Sequence, residues 1–441
     1  MSFPRYISYQ ASGLNWLGDV PAHWDLRRIG FYFGERREKV SDKDYQPLSV
    51  TRNGIVPQLD TAAKTDDGDN RKRVCKGDFV INSRSDRKGS AGLSELDGSV
   101  SLISTVLKPK ESVHGPFIHH LLRSVSFQEE FYRFGKGIVA DLWSTNYSSM
   151  SAITLALPTT SEQLAIATFL DRETAKIDAL IFEQQRLIEL LQEKRQAVIS
   201  HAVTKGLNPN APMKGSGVEW LGEVPEHWET GKIKHYFRTT SGSTPNSDKP
   251  ELYYTTEEDE HGTPWIRTTD IDNDEVNTAV VFITPKALGD TACKALPVNT
   301  VLVALYGGGG TVGKNGILKI EAAVNQALCG ILPSPKALPE YVHKYIQFLR
   351  PFWMERAVSS RKAGNISQEL VGDTTFPIPP LQEQMAILRA IEEKLKELDE
   401  LAKQSSESLV LLEERRSALI SAAVTGQIDV RGLVEAEAGK Q

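Results

Sequence analysis

Cysteine is scarce in this sequence, and long runs of apolar residues are missing from it. The 441 residues include three cysteines, Cys75, Cys293 and Cys329, and no two of them form a C-x-x-C pair. Scattered cysteines argue against a disulfide framework or a zinc site and favour a reducing compartment, the cytoplasm. No apolar run approaches the roughly 20 residues of a membrane-spanning helix, and the N-terminus shows no signal-peptide pattern.

A surplus of positive charge is missing as well. The formal net charge of −6 would by itself argue against a nucleic-acid partner. The charge changes sign along the chain, however, because residues 71–88 hold seven basic residues against two acids, whereas residues 251–275 hold nine acids against one arginine. Binding depends on the local patch, so the basic segment keeps nucleic acid among the candidate partners. We expect segment 251–275 to face away from such a polyanion, apart from Arg267.

Motifs of catalysis are absent or incomplete. The sequence has no N/D-P-P-Y/F methyltransferase motif, and NPNAP at residues 208–212 does not qualify. Glu392 and Lys394 match a fragment of a nuclease motif without its Pro-Asp, and His119 and His120 lack the spacing of metal ligands. We therefore expect no catalytic residue, no cofactor and no metal site, with both histidines as ordinary helix residues.

A glycine loop, LYGGGGTVGKNG at residues 305–316, is similar to a phosphate-binding loop. Gly308, Gly313 and Lys314 have the G-x-x-x-x-G-K spacing, but Asn315 stands where magnesium requires Ser or Thr. The following GILKIEAAV predicts a strand, whereas a nucleotide site needs a helix start there. We expect a strand–loop–strand unit that offers amides and a lysine to the phosphates of a polyanion; a hairpin tip without a ligand is the plain alternative.

The sequence contains an internal repeat, with two copies of one unit. Residues 13–33 recur at 217–237 with 11 of 21 positions identical, and residues 157–204 recur at 378–425 with 17 of 48 identical. The segments between these repeats, about 34–156 and 238–377, share little sequence and mix short apolar runs with turns. Each middle segment predicts an α/β or α+β globule, and the Gly/Pro/Asn-rich 205–217 predicts a linker.

The later repeat predicts one long helix per copy, of about 44 residues and roughly 65 Å. Apolar residues at a/d spacing form the predicted seam of a coiled coil: Ile166, Leu170, Ile177, Leu180, Leu187, Leu191 and Val198, and then Ile387, Ile391, Leu398, Leu401, Leu412, Leu419 and Ala422. Polar residues occupy other seam positions: Glu173, Gln184, Lys194, Lys394, Ser405 and Arg415. Thr160 and Gln163 predict a capping box. The alternative is that each helix packs separately on its own domain.

Three motifs stand in the same order in both copies: W-L-G-x-V-P-x-H-W, P-x-x-x-E-Q and R-x-A-x-I-S-x-A-V-T. Two further motifs, S-G-S-T-P (241–245) and G-T-P-W-I-R-T-T-D-I (262–271), lie in the second middle segment. Over nearly its whole length the chain resembles the specificity subunit of type I restriction–modification enzymes. The first copy departs from the pattern, with GERREKVSD in place of S-G-x-T-P. The resemblance implies an α+β protein in which two α/β target-recognition domains are separated by two long helices, which form an antiparallel coiled coil with an internal pseudo-twofold repeat.

The implied domain boundaries follow the repeats. We expect target-recognition domain 1 at 1–156, spacer helix 1 at 157–205, a linker at 206–216, target-recognition domain 2 at 217–377, spacer helix 2 at 378–428 and a C-terminal tail at 429–441.

The implied function is that of a non-catalytic DNA reader. It would recognise a bipartite, asymmetric double-stranded DNA target and recruit two methyltransferase subunits and, in a full complex, restriction subunits. S-adenosylmethionine would then be bound by the methyltransferase partner, and ATP and Mg²⁺ by the restriction partner. The rival hypotheses are a coiled-coil adaptor that does not bind DNA and a nucleotide-binding enzyme built on the glycine loop.

Candidate DNA-binding residues are the basic, amide and hydroxyl side chains of the two middle segments, because arginine and lysine contact phosphates while paired donors and acceptors read base edges. They are Arg52, Asn53, Arg84, Arg87, Lys88, Lys136 and Asn146 in the first domain, and Thr244, Arg267, Tyr306, Lys314, Asn325, Arg361, Lys362 and Asn365 in the second. The pairs Trp16/Trp24 and Trp220/Trp228 are expected to pack inside the domains or on the helices.

Overall fold

A computed structural model of the chain describes residues 3–59, 68–137, 143–257, 259–308, 310–359 and 364–433. The fold divides into two compact units: unit 1 comprises Met1–Gln185 and Ser406–Gln441, and unit 2 comprises Arg186–Ser405. Each unit therefore contains one middle segment, one W-L-G opening and a part of both long helices.

Unit 1 is built on short strands and small sheets. Its strands are β1 (Tyr9–Ala11), β2 (Asp19–Pro21), β3 (Asp25–Arg28), β4 (Phe33–Glu35), β5 (Lys39–Val40), β6 (Leu48–Thr51), β7 (Gly54–Pro57), β8 (Arg71–Val74), β9 (Phe79–Asn82), β10 (Ala91–Leu93), β11 (Gly98–Val100), β12 (Ser104–Pro109) and β13 (Thr154–Leu157). Its helices are α1 (Ile29–Tyr32), α2 (Gly115–Arg123), α3 (Val125–Arg133) and α4 (Tyr147–Met150), with a 3-10 turn at Ser85–Arg87.

The central sheet of unit 1 has the order β10-β9-β12-β4. All four residues of β9, FVIN, are buried, as expected for an apolar strand between two neighbours with both faces covered. Helix α2 packs on β9 and β10, and its buried Phe117 and Leu121, four residues apart, lie on one helix face and join the core.

Unit 2 has a larger sheet. Its strands are β14 (Met213–Gly215), β15 (Glu223–Pro225), β16 (Glu229–Lys232), β17 (Thr239–Ser241), β18 (Tyr254–Thr255), β19 (Thr263–Ile266), β20 (Asp274–Val276), β21 (Val281–Ile283), β22 (Val301–Ala304), β23 (Asn315–Leu318), β24 (Ala323–Val324), β25 (Leu328–Ile331) and β26 (Thr375–Ile378). The five-stranded sheet has the order β17-β25-β22-β23-β20, and a four-stranded sheet has the order β18-β21-β19-β24. The short helices are α6 (Ile233–Tyr236), α7 (Pro250–Tyr253), α8 (Pro285–Asp290), α9 (Pro339–Ser359) and α10 (Gln368–Asp373).

Two long helices complete the fold. Helix α5 runs over Thr160–Lys205, or 46 residues, and α11 over Leu381–Val424, or 44 residues, which confirms the predicted length. In unit 1 the first part of α5 and the last part of α11 share one core, through Ile177 and Leu419. In unit 2 the last part of α5 and the first part of α11 share another, through Leu191 and Leu398. The helices therefore pair in antiparallel direction within each unit, and the alternative of separate packing is wrong.

The predicted seam is wrong in its middle. Leu180, Leu187 and Leu401 are 52%, 40% and 48% exposed, while Ile181 and Ala402 pack against the cores. Residues three or four positions apart lie on the same face of a helix, and this sequence has apolar residues at both spacings. The spacing alone therefore does not decide which of them is buried. The predicted polar seam residues Lys194 and Arg415 are likewise exposed.

The neighbours of those two residues connect the helices instead. In unit 1, Nε and Nη2 of Arg416 donate to the carboxylate of Asp178 across 2.7 and 3.1 Å. In unit 2, Arg195 forms the matching ion pair with Asp399. Each arginine lies on one long helix and each aspartate on the other, at positions that the 221-residue repeat makes equivalent.

The capping box is also wrong in detail. The hydroxyl of Thr159, one residue earlier than expected, accepts from the backbone N–H of Glu162 at 3.4 Å. The amide of Gln163 turns away from the cap: its Oε1 accepts from His114 N at 2.8 Å, and its Nε2 donates to Pro158 O at 2.9 Å. Gln163 thus ties the start of α5 to the segment before α2, a role that a local motif cannot reveal.

Candidate DNA interface

One end of the five-stranded sheet in unit 2 gathers most of the candidate residues of the second domain. Antiparallel pairing sets Ser241 opposite Cys329 and Ala304 opposite Leu328, so the loops after β17 and β22 and before β25 emerge together. Thr244, Tyr306 and Asn325 lie in these loops, and the hydroxyl of Thr244 is hydrogen-bonded to the side chain of Gln326. Lys314 lies directly before β23 at the same end.

Two backbone hydrogen bonds bring distant candidates to this end. Ile366 N donates to Leu305 O at 2.9 Å, which places Asn365 beside the glycine loop, and Asn325 N donates to Ile266 O at 3.0 Å, which places Arg267 beside Asn325. Arg361 and Lys362 lie outside the described residues.

The glycine of S-G-S-T-P is required by close packing at this end. A Cβ on Gly242 would stand 1.9 Å from the carbonyl oxygen of Val324, a distance that no side chain tolerates. The neighbouring Ser243 N donates to the same oxygen at 3.0 Å. The motif therefore holds the loop with Thr244 tightly against the loop with Asn325.

The glycine loop is a strand–loop–strand unit, as predicted. β22 and β23 pair antiparallel, with Val303 opposite Asn315, and no helix follows Lys314, so the nucleotide-binding alternative lacks its helix N-terminus. Asn315 is fully buried, and its Nδ2 donates to Gly313 O at 3.0 Å and to Asn273 Oδ1 at 3.2 Å. The residue after the lysine thus shapes the loop from inside the protein.

Acidic side chains hold two of the candidate cations. Lys314 Nζ lies 3.1 Å from Asp272 Oδ1, and the guanidinium of Arg267 donates to both oxygens of Asp270, at 3.1 and 3.0 Å. Burial acts to raise the pKa of the Asp270 carboxyl, but the hydrogen bonds and charge of Arg267 hold that pKa below its ordinary value. Asp270 and Asp272 of segment 251–275 thus lie against candidate residues, while the expectation that this segment faces away from a polyanion stays a prediction.

The candidates of unit 1 also converge. Arg52 and Asn53 form the turn between β6 and β7, and Nε of Arg52 donates to Lys88 O at 3.2 Å. Lys88 follows the 3-10 turn after β9, which also carries Arg87.

A second group in unit 1 is joined through Ser144. Single β-bridges pair Ser144 with Arg84 and with Lys136, and Asn146 follows two residues later. The amide of Asn146 is engaged as a helix cap, because its Oδ1 accepts from Ser149 N at 3.0 Å. The side chains of Arg84, Lys136 and Asn146 are nevertheless exposed.

Sequence reasoning missed Gln326, Asn273 and Arg123, which contact either a candidate residue or the end of the glycine loop. Gln326 contacts Thr244, Asn273 bonds the end of the glycine loop, and Nη2 of Arg123 donates to the carbonyl of Arg52. The adjacent Asn325 could have drawn attention to Gln326, but nothing in the local sequence marks the other two.

The remaining reactive groups are packed into the protein. Burial raises the pKa of the Cys329 thiol to about 12, so it stays protonated at neutral pH. His120 is buried on α2, and within the described ranges no group of three or more His, Cys, Asp or Glu has the arrangement of a metal site. Nor does any described helix combine the length and hydropathy required to cross a membrane.

Comparison with known proteins shows which proteins share these features. Residues 225–410 match the family model of the type I restriction modification DNA specificity domain. The chain is 21% identical to the putative type I restriction enzyme MjaX specificity subunit of Methanocaldococcus jannaschii, over 94% of this chain and 96% of that one. It is 22% identical to the type I restriction enzyme EcoKI specificity subunit of Escherichia coli, over 82% of this chain and 77% of the other.

Solved structures are similar in fold. The HsdS subunit from Thermoanaerobacter tengcongensis aligns over 92% of this chain and 98% of its own with a TM-score of 0.53 at 16% identity. A chain from a structural study of complex assembly and conformational transition in the type I restriction–modification system aligns with a TM-score of 0.67, at the same coverage and identity. Motif order, domain match and end-to-end similarity agree, so this chain is similar over nearly its whole length to type I restriction–modification specificity subunits.

Proposed function

We propose that this chain reads a bipartite, asymmetric double-stranded DNA sequence for a type I restriction–modification complex. The observation that carries the proposal is the convergence of candidate residues within each unit. In unit 2 they come from five loops and meet at one end of one sheet. In unit 1 they meet around the turn between β6 and β7 and the loop after β9. A shared end of a sheet is where loops from a rigid scaffold form a binding surface.

The side chains divide by chemistry. Exposed arginines and lysines such as Arg84, Arg87 and Lys136 suit phosphates, which position the protein without reading sequence. Amides and hydroxyls such as Asn53, Asn325 and Thr244 have the donors and acceptors that distinguish base edges in the major groove.

The target is asymmetric because the two readers differ. The flanks of the copies match, whereas the loops that carry the candidates do not: unit 2 has the glycine loop where unit 1 has a 3-10 turn with arginines. Two different surfaces read two different half-sites. We propose further that the lengths of α5 and α11 set the number of unread base pairs between them.

Catalysis belongs to partners in this proposal. Two methyltransferase subunits, which bind S-adenosylmethionine, would be recruited by the helices and the W-L-G openings, and restriction subunits, which use ATP and Mg²⁺, would join a full complex in the cytoplasm. Large apolar side chains exposed on the helices, among them Leu180, Phe182, Leu190 and Val410, support a protein partner there, because exposed apolar surface favours docking. Since a methyltransferase extrudes its target base, it needs this chain for placement alone.

The test is to map methylated motifs in DNA from cells that express this chain with its methyltransferase. The proposal predicts one motif with two different specified parts and an unspecified gap. The purified complex should also bind DNA with an affinity that falls steeply with salt, since phosphate contacts release counterions. Binding that is absent, or independent of salt, would favour the adaptor hypothesis instead.

A further inference from the structure

A crevice in unit 1 collects four cationic side chains from four parts of the chain. It has a volume of about 410 Å³ and is lined by Arg52 from the turn between β6 and β7, Lys88 from the loop after β9, Arg123 from α2 and Arg416 from α11. His119 lines it as well. The size is within the range of small-ligand sites.

Two of these cations are balanced and two are not. Lys88 forms an ion pair with Glu129, and Arg416 forms the bidentate pair with Asp178. The guanidinium of Arg52 donates to the carbonyl of Lys88, and that of Arg123 to the carbonyl of Arg52. Within the part of the chain that the structure describes, neither Arg52 nor Arg123 has a carboxylate partner, so no ion pair neutralises either guanidinium charge.

The hydrogen bonds around His119 point to a missing acceptor. Its Nδ1 receives the N–H of Leu93 at 3.2 Å, and its Nε2 faces Nη1 of Arg123 at 2.6 Å. Both neighbours can only donate, whereas a neutral imidazole accepts at one nitrogen alone. Burial, and then the charge of Arg123, lower the pKa of His119 to about 4, so the ring is neutral at pH 7. One donor in the cluster is therefore left without an acceptor.

We propose that this crevice binds one phosphate of the DNA backbone, through the guanidinium groups of Arg52 and Arg123. A phosphodiester supplies the negative charge and the acceptor oxygens that the cluster lacks, and arginine binds phosphate in a bidentate fashion. Arg52 lies in the same turn as Asn53, a candidate base-reading residue, so the crevice adjoins the candidate DNA-binding surface. The inference rests on the proposed DNA-binding function and assigns Arg123 as a phosphate-binding residue.

Unit 2 lacks this site at the equivalent position. The segments before α2 and α9 correspond, because His114 N and Leu338 N each donate to the glutamine of the P-x-x-x-E-Q motif at 2.8 Å. That alignment sets Arg123 opposite Gln347, whose Nε2 donates to Asn273 O at 2.7 Å. The corresponding crevice, about 800 Å³, is lined by Arg195, Lys344 and Arg350 but also by Asp272 and Asp274, which repel phosphate. The phosphate site thus belongs to the first copy.

The test replaces each arginine by glutamine, the residue that the second copy has at position 347. Arg123→Gln and Arg52→Gln are compared with Arg27→Gln, which removes an equal charge from an exposed pair with Asp25 outside the crevice. Affinity of the full chain for a mixed-sequence duplex is measured from 0.1 to 1 M salt. Loss of one phosphate contact lowers the slope of log K against log salt by about 0.9, which means roughly eightfold weaker binding at 0.1 M and convergence near 1 M.

Three outcomes are informative. A lowered slope in both crevice variants, with the slope of Arg27→Gln unchanged, supports the phosphate site. If Arg123→Gln does not fold, Arg52→Gln still tests the site, because Arg52 is exposed. A wild-type slope in both variants overturns the site while DNA binding itself stands. If the wild-type chain shows no salt-dependent DNA binding, the proposed function fails.

A separate measurement distinguishes the source of the phosphate. The thermal unfolding midpoint is followed with inorganic phosphate against chloride at equal ionic strength. A rise with phosphate that is lost in Arg123→Gln, together with an unchanged DNA slope, would identify a site for a free anion and overturn the assignment to DNA.

Discussion

Trp24 and Glu162, separated by 138 residues, are joined by a hydrogen bond of 3.2 Å from the indole Nε1 to Oε1 of the carboxylate. Nε2 of His23 donates to the other oxygen of Glu162 at 2.8 Å. The same pair of contacts recurs in the second copy, where Trp228 and His227 bond to Glu383 at 3.1 and 2.7 Å. The H-W of each opening motif therefore binds the glutamate of the P-x-x-x-E-Q motif.

Replacing Glu162 by alanine should destabilise unit 1. Its side chain is 4% exposed, so the substitution leaves the buried N–H of Trp24 without an acceptor, at a cost of about 1–3 kcal/mol. Glu162→Gln keeps an acceptor oxygen and should cost less. The free energy of unfolding in urea measures both.

The second copy and the helix surface provide controls for this prediction. Glu383→Ala should cost less than Glu162→Ala, because the Glu383 side chain is 27% exposed and water can replace part of the lost bond. Glu189→Ala, on an exposed position of α5, should change stability by less than about 0.5 kcal/mol. Equal losses at positions 162 and 189 would contradict the role of this bond.

The repeat explains why so much of the fold could be predicted. Both long helices were predicted from apolar periodicity that recurs in the two copies, and the strand–loop–strand unit from the position of its glycines. Both signals are local in the sequence. The face of a helix is not local: Leu180 and Ile181 are equally apolar, and only the partner helix decides that Ile181 is buried. For the same reason Arg195 and Arg416 could not be recognised as the residues that connect the helices.

The candidate site was predictable by residue type but not by arrangement. Basic and amide residues in the middle segments were identified from composition and motif. Arg123 was not, because its crevice unites a hairpin turn, a short helix and the end of a long helix that follows almost 300 residues later. The ion pair of Lys314 with Asp272 could not be predicted either, since Asp272 lies on another loop.

Reversing both charges of the Arg195–Asp399 pair should restore the stability and the assembly that reversal of either charge alone disturbs. Arg195→Asp or Asp399→Arg sets like charges against each other, and we expect a loss of about 0.2–1 kcal/mol, the range of exposed ion pairs, plus weakened assembly with the methyltransferase. The double variant should recover most of both. Unfolding and co-purification measure the effects, and the methylated motif should stay unchanged. If the double variant were worse than either single one, the pairing would be refuted.

Opposite effects are expected on the two sides of the Lys314–Asp272 pair. Lys314→Ala should weaken binding to all duplexes and lower the salt slope by about one unit, as for a phosphate contact. Asp272→Asn releases the lysine from its carboxylate, 3.1 Å away, and should strengthen binding. Duplex titrations at several salt concentrations measure both. Nucleotide binding that disappears in Lys314→Ala would instead revive the enzyme hypothesis.

Lengthening both helices should widen the unread part of the target. Seven residues inserted after Gln184 and after Ser405, which are equivalent positions of the repeat, keep the seam in phase and add about 10 Å to each helix. At about 3.4 Å per base pair, the methylated motif should gain about three unspecified base pairs and keep both specified parts. An unchanged gap at full methylation activity would show that the helices do not set the spacing.

Exchange of one middle segment should change one half-site. Residues 238–377 carry the loops of unit 2 that converge on Thr244 and Asn325, while the contacts of Glu162 with the first opening lie entirely in unit 1. Replacing 238–377 with the corresponding segment of another specificity subunit should therefore alter one specified part of the methylated motif and leave the other as it was. Partner recruitment should survive, because the openings and both helices are retained. Sequencing of methylated DNA from the exchange variant measures the result. A simultaneous change of both half-sites would mean that the two domains do not read independently, and the two-reader model would fail.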